Sequence, residues 1–132
     1  MINGMKPNYI KQKEFKDALT VFCSKLTEDS KDYISRFEFI KDVVFKPSGG
    51  RKYVKVKYFE TRSQTDYESG EVKILPDLKG SIHCFVEVET GNVFKPAGWR
   101  APYTKGNNAV RANIFDETTF EKTDMHGGWL YL

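Results

Sequence analysis

Residues 43–59, VVFKPSGGRKYVKVKYF, decide the fold of this chain. After residue 53, Val54, Val56 and Tyr58 alternate with basic and aromatic side chains, the period of two that is typical of a half-buried antiparallel strand. The apolar run at residues 43–45 is followed by a turn at 47–50, in which Gly49 and Gly50 accept the positive φ that hairpin turns need. The stretch therefore predicts a β-hairpin.

The first strand of this hairpin is predicted to begin at residue 37. Its apolar side chains are expected on two faces, Phe37, Phe39, Val43 and Phe45 on one and Ile40 and Val44 on the other. Further strands are predicted at 72–75, 82–89 and 93–95, and alternation in 82–89 places His83 with Phe85 and opposite Cys84. The sheet is thus expected to span about residues 37–95, with four or five antiparallel strands.

A helix is predicted upstream, over residues 8–26, with Asn8 as its N-cap after Pro7. Apolar side chains spaced by four, three and four form one stripe along it, namely Phe15, Leu19, Phe22 and Leu26. Residues 27–35 are polar and are expected to form a loop or a short second helix.

The length of 132 residues predicts a single domain, 1–132, of the α+β class. Its amphipathic N-terminal helix is expected to pack on the antiparallel sheet. Residues 96–132 lack a regular pattern but carry many aromatic side chains, so this loop-rich tail is predicted to pack over the sheet. The tail aromatics include Trp99, Tyr103, Phe120 and Trp129.

Composition excludes several classes of protein. No run of about 18 apolar residues could span a membrane, and the first six residues lack the apolar stretch of a signal peptide. Two cysteines, Cys23 and Cys84, cannot build a disulfide framework or a cysteine metal cluster, and we expect both to be small core residues. The net charge of +3 is too small to imply nucleic acid by itself. These features predict a soluble, cytoplasmic domain.

Positive charge is concentrated in two segments without acidic residues, 43–59 and 90–115. Within them, VFKPSGGR at 44–51 and VFKPAGWR at 93–100 agree at six of eight positions, and each copy follows a predicted strand. Proline ends ladder pairing and glycine permits a sharp reversal, so each copy predicts a cationic bend. Two interpretations stay open: a coincidence of turn chemistry, or a paired anion-binding surface in which the two bends lie side by side.

The segment 95–108, KPAGWRAPYTKGNN, places an indole and a phenol among cations and amides. Aromatic stacking beside cations holds single-stranded nucleic acid, while Trp, Tyr and Arg also dominate protein interfaces. The structural alternative is that the two rings only cover the open face of the sheet. Near this loop, Arg111 and Asn113 are expected to serve the same surface or to pin the loop through backbone carbonyls. The candidate binding residues are Lys46, Arg51, Lys55, Lys57, Lys95, Trp99, Arg100, Tyr103, Lys105, Arg111 and Asn113.

Three segments in the C-terminal part of the chain form a recognisable pattern: GNVFKPAGWRAP at 91–102, RANIFD at 111–116 and the ending from Gly127 to Leu132. This pattern resembles a class of short bacteriophage proteins of unknown function, over about residues 82–132. Their C-terminal halves carry Thr-Gly-Asp-Ile-Tyr-Lys-Pro-Ala-x-Trp-Lys-Ala-Pro followed by Arg-Gly-Asn-Ile-Phe. Ala112 stands where that pattern has glycine, so the local turn is expected to differ. The resemblance implies a phage origin and a setting in the host-cell cytoplasm, and it supplies no activity.

Few side chains could support catalysis. His83 and His126 form no metal-ligand spacing with a cysteine or with each other, and Glu87 and Glu89 are more typical of a solvated strand than of an acid–base pair. The chain contains no phosphate-binding glycine loop and no nucleophile elbow. We therefore expect no enzyme activity, no cofactor and no metal.

Three kinds of function remain. The first is a small non-catalytic, phage-type protein whose basic and aromatic loops bind nucleic acid or a nucleotide. The second is a protein–protein inhibitor or modulator of a host or anti-phage defence protein. The third is a structural or assembly component that associates with itself through an exposed strand edge.

Overall fold

The computed structural model describes residues 8–106, 108–116, 118–119 and 130, with side chains from residue 12 onward. Within those residues, one helix packs on a six-stranded antiparallel sheet, which is the predicted α+β class. The elements are α1 Asn8–Ile34, β1 Ile40–Ser48, β2 Tyr53–Thr65, β3 Val72–Leu75, β4 Ser81–Glu87, β5 Asn92–Phe94 and β6 Ala112–Asn113.

Helix α1 begins at Asn8, as predicted, but runs to Ile34 instead of ending at residue 26. Two hydroxyl side chains permit this extension because they bond back to the helix. Thr27 Oγ1 donates to the Cys23 carbonyl at 2.9 Å, and Ser30 Oγ donates to the Thr27 carbonyl at 2.5 Å. Ser30 is completely buried, so polar residues continue the buried stripe with their hydrogen bonds satisfied.

The strands lie in the order β1-β2-β4-β5-β6, and β3 pairs with the far end of β2. Strands β1 and β2 form the predicted hairpin, with φ of +27° at Gly49 and +118° at Gly50. Helix α1 packs against β1, which is an edge of the sheet. The N–H of Phe45 donates to Thr27 Oγ1 at 3.0 Å, so the helix supplies a hydrogen-bond partner to this strand.

A β-bulge in β1 changes which side chains are buried. The register shifts between Ile40 and Asp42, and Ile40 joins Val43 and Phe45 in the core, although alternation predicts it on the opposite face. Phe39, predicted on the same face as Val43 and Phe45, is 46% exposed. The inserted residue of a bulge reverses the alternation of side chains, which explains both errors.

A second bulge lies in β4 at His83, between the Lys57–Ile82 pair and the Val56–Cys84 pair. The His83 ring packs edge-on against Phe45, with ring centroids 5.2 Å apart. The prediction that His83 shares a face with Phe85 is therefore wrong. Since Phe45 belongs to the core under α1, the bulge turns the imidazole toward the helix side.

Away from β3, both faces of the sheet carry buried side chains. On the face away from α1, here called the outer face, Phe85 and Phe94 are only 1% and 5% exposed, and Tyr53 packs edge-on against Phe94. The start of the predicted tail packs over this face, because the Trp99 ring lies over side chains of β2. The core on the helix side includes Phe15, Leu19, Phe22, Leu26, Val43, Phe45, Val54, Val56, Cys84, Val86, Val93, Ile114 and Leu130.

The sixth strand, β6, is the one that the sequence did not predict. It pairs with β5 through Val93–Ala112 and Asn92–Asn113, and two residues are too few to show a period. Ala112 is buried in this strand. The predictions for Phe120, His126, Trp129 and the ending from Gly127 fall outside the described residues, apart from Leu130 in the core. Among the described residues, no helix has the length and apolarity to cross a membrane.

Candidate nucleic-acid interface

The segment 95–103 forms a narrow two-stranded loop that carries Trp99 at its tip. The Tyr103 N–H donates to the Lys95 carbonyl at 2.8 Å, and the Ala97 N–H donates to the Ala101 carbonyl at 3.0 Å. Between these bonds, Pro96 and Pro102 form a bridge. Because both prolines have fixed φ, the base of the loop is stiff and the tip is held in a defined position.

Three ammonium groups lie over the indole ring of Trp99. The Nζ atoms of Lys55, Lys57 and Lys79 lie 5.0, 4.9 and 5.2 Å from the ring centroid, respectively. Lys46 of β1 is in register with Lys57, and residues directly opposite in an antiparallel pair share a face. We call Trp99 with Lys46, Lys55, Lys57 and Lys79 the basic-aromatic cluster. The indole itself is 43% exposed.

The cluster has no acidic partner in the described part of the chain, where no ion pair joins Lys46, Lys55, Lys57 or Lys79 to a carboxylate. The ammonium groups of Lys55, Lys57 and Lys79 all lie about 5 Å from the centroid of the Trp99 ring, so no two of them can be more than about 10 Å apart. That separation is close to the screening length at physiological ionic strength, roughly 8 Å, so the like charges repel one another. A bound anion would relieve this repulsion.

Lys79 is the residue of this cluster that sequence analysis missed. It lies in the turn before β4, where Asp77 Oδ1 accepts hydrogen bonds from the N–H groups of Lys79 and Gly80, at 3.2 and 2.8 Å. These backbone donors, the one from Gly80 first, lower the pKa of the Asp77 carboxyl. Gly80 has φ of +76°, and a Cβ there would lie 2.7 Å from the Phe59 ring. The turn is therefore tightly specified, and it holds Lys79 at the edge of the outer face.

A second group of candidate residues lines a shallow cleft beside the loop. The cleft has a volume of about 260 Å³. Lys95 Nζ lies 4.6 Å from the centroid of the Tyr103 ring, which is 40% exposed. The lining residues are Lys95, Tyr103, Lys105, Gly106, Asn108, Ala109 and Arg111. Three cations and a phenol thus continue the positive, aromatic character of the surface along the same loop. Arg100 is exposed at the loop tip.

Arg111 takes the pinning role that was one of the two expectations, whereas Asn113 holds a different turn. Arg111 Nη1 donates to the Asn108 carbonyl at 2.9 Å. The Asn113 side-chain nitrogen donates to the Thr90 carbonyl and to Asn92 Oδ1, both at 2.9 Å, while Asn113 Oδ1 accepts from the Phe115 N–H at 2.8 Å. Both polar ends of this amide are therefore committed to holding the β4–β5 turn and the segment after β6.

The two copies of the repeat adopt different structures. In the first, Pro47 lies within β1 opposite Val56 and the bend is made by Gly49 and Gly50. In the second, Pro96 bridges to Pro102 and Gly98 does not have a positive φ. Shared sequence thus gives a strand end in one place and a loop arm in the other.

The repeat therefore does not form a pair of matching bends side by side. Arg51 lines a groove between α1 and the β1–β2 turn, together with Phe15 and Val54 of the helix-side core. Trp99 lies over the outer face. Of the cations in the first copy, only Lys46 reaches the basic-aromatic cluster by its register, and Arg51 lies apart from it.

The cysteines are core residues, as predicted, since both are buried. Burial raises the pKa of the Cys23 thiol to about 12 and that of Cys84 well above its usual value. A thiol acts as a nucleophile only as thiolate, so neither is suited to covalent catalysis. Within the described residues, histidine, cysteine and acidic side chains form no group of three that could hold a metal ion.

Comparison with known proteins identifies a family and no characterised relative. The model of a family described as "Family of unknown function (DUF7717)" matches residues 5–132. No curated protein and no solved structure matches the chain.

Proposed function

Because the chain belongs to this family of unknown function, its own geometry is the basis for assignment, and we propose that it is a non-catalytic protein that binds single-stranded nucleic acid. The observation that carries the proposal is the basic-aromatic cluster. Trp99 offers an indole that is 43% exposed, and three ammonium groups without acidic partners lie within about 5 Å of its ring centroid. An exposed aromatic platform among cations is the arrangement that holds unpaired bases and their phosphates.

The energies favour a base over the resident ammonium groups. An exposed cation–π contact is worth roughly 0.5–1 kcal/mol, while a stacked base contributes roughly 1–3 kcal/mol. A base can therefore take the indole face, and the displaced ammonium groups then meet the phosphates on either side of it. Stacking requires an unpaired base, which favours single-stranded over duplex ligands.

The cleft beside Tyr103 extends this surface. A strand whose base stacks on Trp99 would pass along the loop toward Lys95 and Lys105, which line the cleft. Trp99 and the cleft residues Lys95 and Tyr103 lie on one loop braced by two prolines, so the ligand would meet a preorganised surface.

Fluorescence anisotropy with a labelled single-stranded oligonucleotide tests the proposal. Trp99→Ala is expected to weaken binding about 5- to 150-fold, the equivalent of one stacked base. Tyr67→Ala is the matched control, because Tyr67 is 96% exposed and lies on a different loop. Equal losses in the two variants, or no loss in either, would contradict a role for the indole.

Salt dependence tests the lysines separately. Each phosphate contacted in a single strand contributes roughly −0.7 to the slope of log K against log salt, so the four lysines predict a slope of about −3. Lys55→Gln with Lys57→Gln should reduce its magnitude by about 1.4. The control is Lys13→Gln with Lys25→Gln on the exposed surface of α1. An unchanged slope in the β2 variant would refute phosphate contact at the cluster.

A protein partner is the second candidate. Trp99 and Tyr103 are 43% and 40% exposed on one loop that also carries Arg100, and these residue types dominate interface hot spots. Nucleic acid that co-purifies with the chain and leaves at high salt supports the first candidate. A single stoichiometric protein retained from host lysate, and lost on Trp99→Ala, supports the second.

The biological setting is part of the proposal. The resemblance of residues 82–132 to short bacteriophage proteins suggests a phage origin, and with it action in the cytoplasm of the host cell. Under the second candidate, the partner would then be a host or anti-phage defence protein.

A further inference from the structure

A second surface lies away from the basic-aromatic cluster, on the arm formed by β3 and the end of β2. We infer that two copies of this chain associate there, through antiparallel pairing of their β3 strands about a twofold axis at Val72. Among the described residues, β3 pairs only with β2, so its other edge is open. All four residues of β3 are exposed, with Val72 at 55%, Ile74 at 56% and Leu75 at 45%.

The hydrogen bonding of the arm fixes which backbone groups face the open edge. The Asp66 N–H donates to the Glu71 carbonyl at 2.8 Å, so the Asp66–Glu71 pair is a hydrogen-bonded one. Hydrogen-bonded and non-hydrogen-bonded pairs alternate along an antiparallel ladder. In β3, Lys73 therefore directs its N–H and C=O toward β2, while Val72 and Ile74 direct theirs outward.

Four twofold registers centred on β3 satisfy this alternation, and their axes pass through Val72, Lys73, Ile74 or Leu75. An axis at Lys73 sets two ammonium groups directly opposite each other, which is unfavourable. An axis at Ile74 places Val72 opposite Pro76, and an axis at Leu75 places Ile74 opposite Pro76, which has no N–H to donate.

The axis at Val72 sets no like charges opposite each other, and it places Ile74 opposite Gly70, whose N–H already donates to the Asp66 carbonyl. Val72 of each copy exchanges both backbone hydrogen bonds with Val72 of the other. Glu71 then lies opposite Lys73 of the second copy, and the symmetry produces this opposite-charge pair twice. Among these registers, only the one at Val72 combines a complete central hydrogen-bonded pair with an opposite-charge pair beside it, which is the basis for choosing a second copy as the partner.

Packing gives a further reason. A two-stranded hairpin with neither face covered is marginally stable in water, and all four residues of β3 are exposed. Pairing would convert the two arms into four adjacent strands and bring Val72 and Ile74 of both copies together. Since the strands are short, the interface belongs to the small, reversible class.

The symmetry also determines on which side of the combined sheet the two basic-aromatic clusters lie. A twofold axis between in-plane antiparallel strands is perpendicular to the sheet, so the outer faces of both copies lie on the same side. A dimer would therefore present two clusters to one long ligand. The pairing itself does not depend on the proposed function, because it uses residues outside the cluster.

Sedimentation or light scattering of the full chain tests this inference. We expect the mass to rise toward twice 15.3 kDa as protein is raised from about 1 µM to about 1 mM. Glu71→Lys alone places two ammonium groups opposite each other across the axis, and Lys73→Glu alone places two carboxylates opposite each other. Because like charges repel, each variant should remain monomeric. An equimolar mixture of the two sets the cations of one copy against the carboxylates of the other and should restore the dimer mass.

Each outcome decides the question. A wild-type chain that is monomeric at every concentration refutes the dimer. A dimer that persists in both single variants refutes this edge as its interface, and a mixture that stays monomeric beside a dimeric wild type refutes this register. The melting temperature of each variant, measured at low concentration, serves as the control for folding. Oligonucleotide binding by the monomeric variants reports on the cluster separately.

Discussion

The hydrogen bond between Thr27 and Phe45 gives the sharpest prediction about stability. Thr27 Oγ1 accepts from the Phe45 N–H at 3.0 Å, and Phe45 is 3% exposed. Thr27→Val preserves the shape of the side chain and has similar helix propensity, but it leaves this N–H without its acceptor. An unsatisfied buried donor costs about 1–3 kcal/mol, so the free energy of unfolding should fall by that amount.

A matched control is available in the same helix. Thr20 Oγ1 donates to the Lys16 carbonyl at 2.8 Å, as Thr27 Oγ1 does to the Cys23 carbonyl, but Thr20 is exposed and supports no strand. Thr20→Val therefore removes the same bond within the helix without affecting Phe45. The difference between the two variants isolates the bond between helix and sheet. Thr27→Ser retains the oxygen and should recover most of the loss.

Urea denaturation and thermal unfolding measure this difference. For a chain of this size, 1 kcal/mol corresponds to about 4 °C in Tm, so Thr27→Val should melt about 4–12 °C below Thr20→Val. Hydrogen exchange should also show reduced protection of the Phe45 amide. If the two valine variants differ by less than about 0.5 kcal/mol, α1 does not stabilise the edge of β1 through this bond.

Two further predictions concern the glycine turns and the buried thiols. In urea denaturation, Gly91→Ala should lower the free energy of unfolding more than Gly70→Ala. Both glycines have positive φ, +78° and +73°, but a Cβ at Gly91 would lie 2.7 Å from the Phe115 ring, whereas a Cβ at Gly70 would meet nothing. Equal losses would contradict this steric argument. Cys23 and Cys84 should resist thiol reagents at pH 8 until the chain unfolds, since burial raises both pKa values and keeps the thiols protonated. Above about pH 9 the unfolded chain releases these protons while the folded chain retains them. The free energy of unfolding should therefore decline as pH rises, by up to about 1.4 kcal/mol per pH unit for each thiol. Cys23→Ala should show a shallower decline.

The elements that local pattern determines were predictable from the sequence. Alternation in residues 53–59 and the glycines at 49 and 50 specify the hairpin, and the stripe from Phe15 to Leu26 specifies the first part of α1. These signals are local, because a period of two or of 3.6 is a property of neighbouring residues. The extension of α1 to Ile34 was not predicted, because a hydroxyl side chain is buried without penalty only where it has hydrogen-bond partners. For Thr27 one such partner is the Phe45 N–H of β1, which lies far away in the sequence.

The candidate site was only partly predictable. The sequence identified Trp99 and the lysines of β2, since an indole among cations and an alternating basic strand are visible in the chain. It did not identify Lys79, whose sequence neighbours carry no such signal, and it grouped Arg51 with the cluster on the basis of a repeat whose two copies fold differently. Asn113 was identified as a candidate, but its role depends on hydrogen bonds to residues more than 20 positions away.

Taken alone, the amino-acid order determined the class of fold, the hairpin, the start of the helix and the concentration of positive charge in two segments. Tertiary structure decided which cations meet, which faces Ile40 and His83 occupy, and that Trp99 lies over Lys55, Lys57 and Lys79. The physical reason is that a bulge and a strand register are properties of two paired strands. The position of a loop tip, likewise, depends on the surface over which the loop folds.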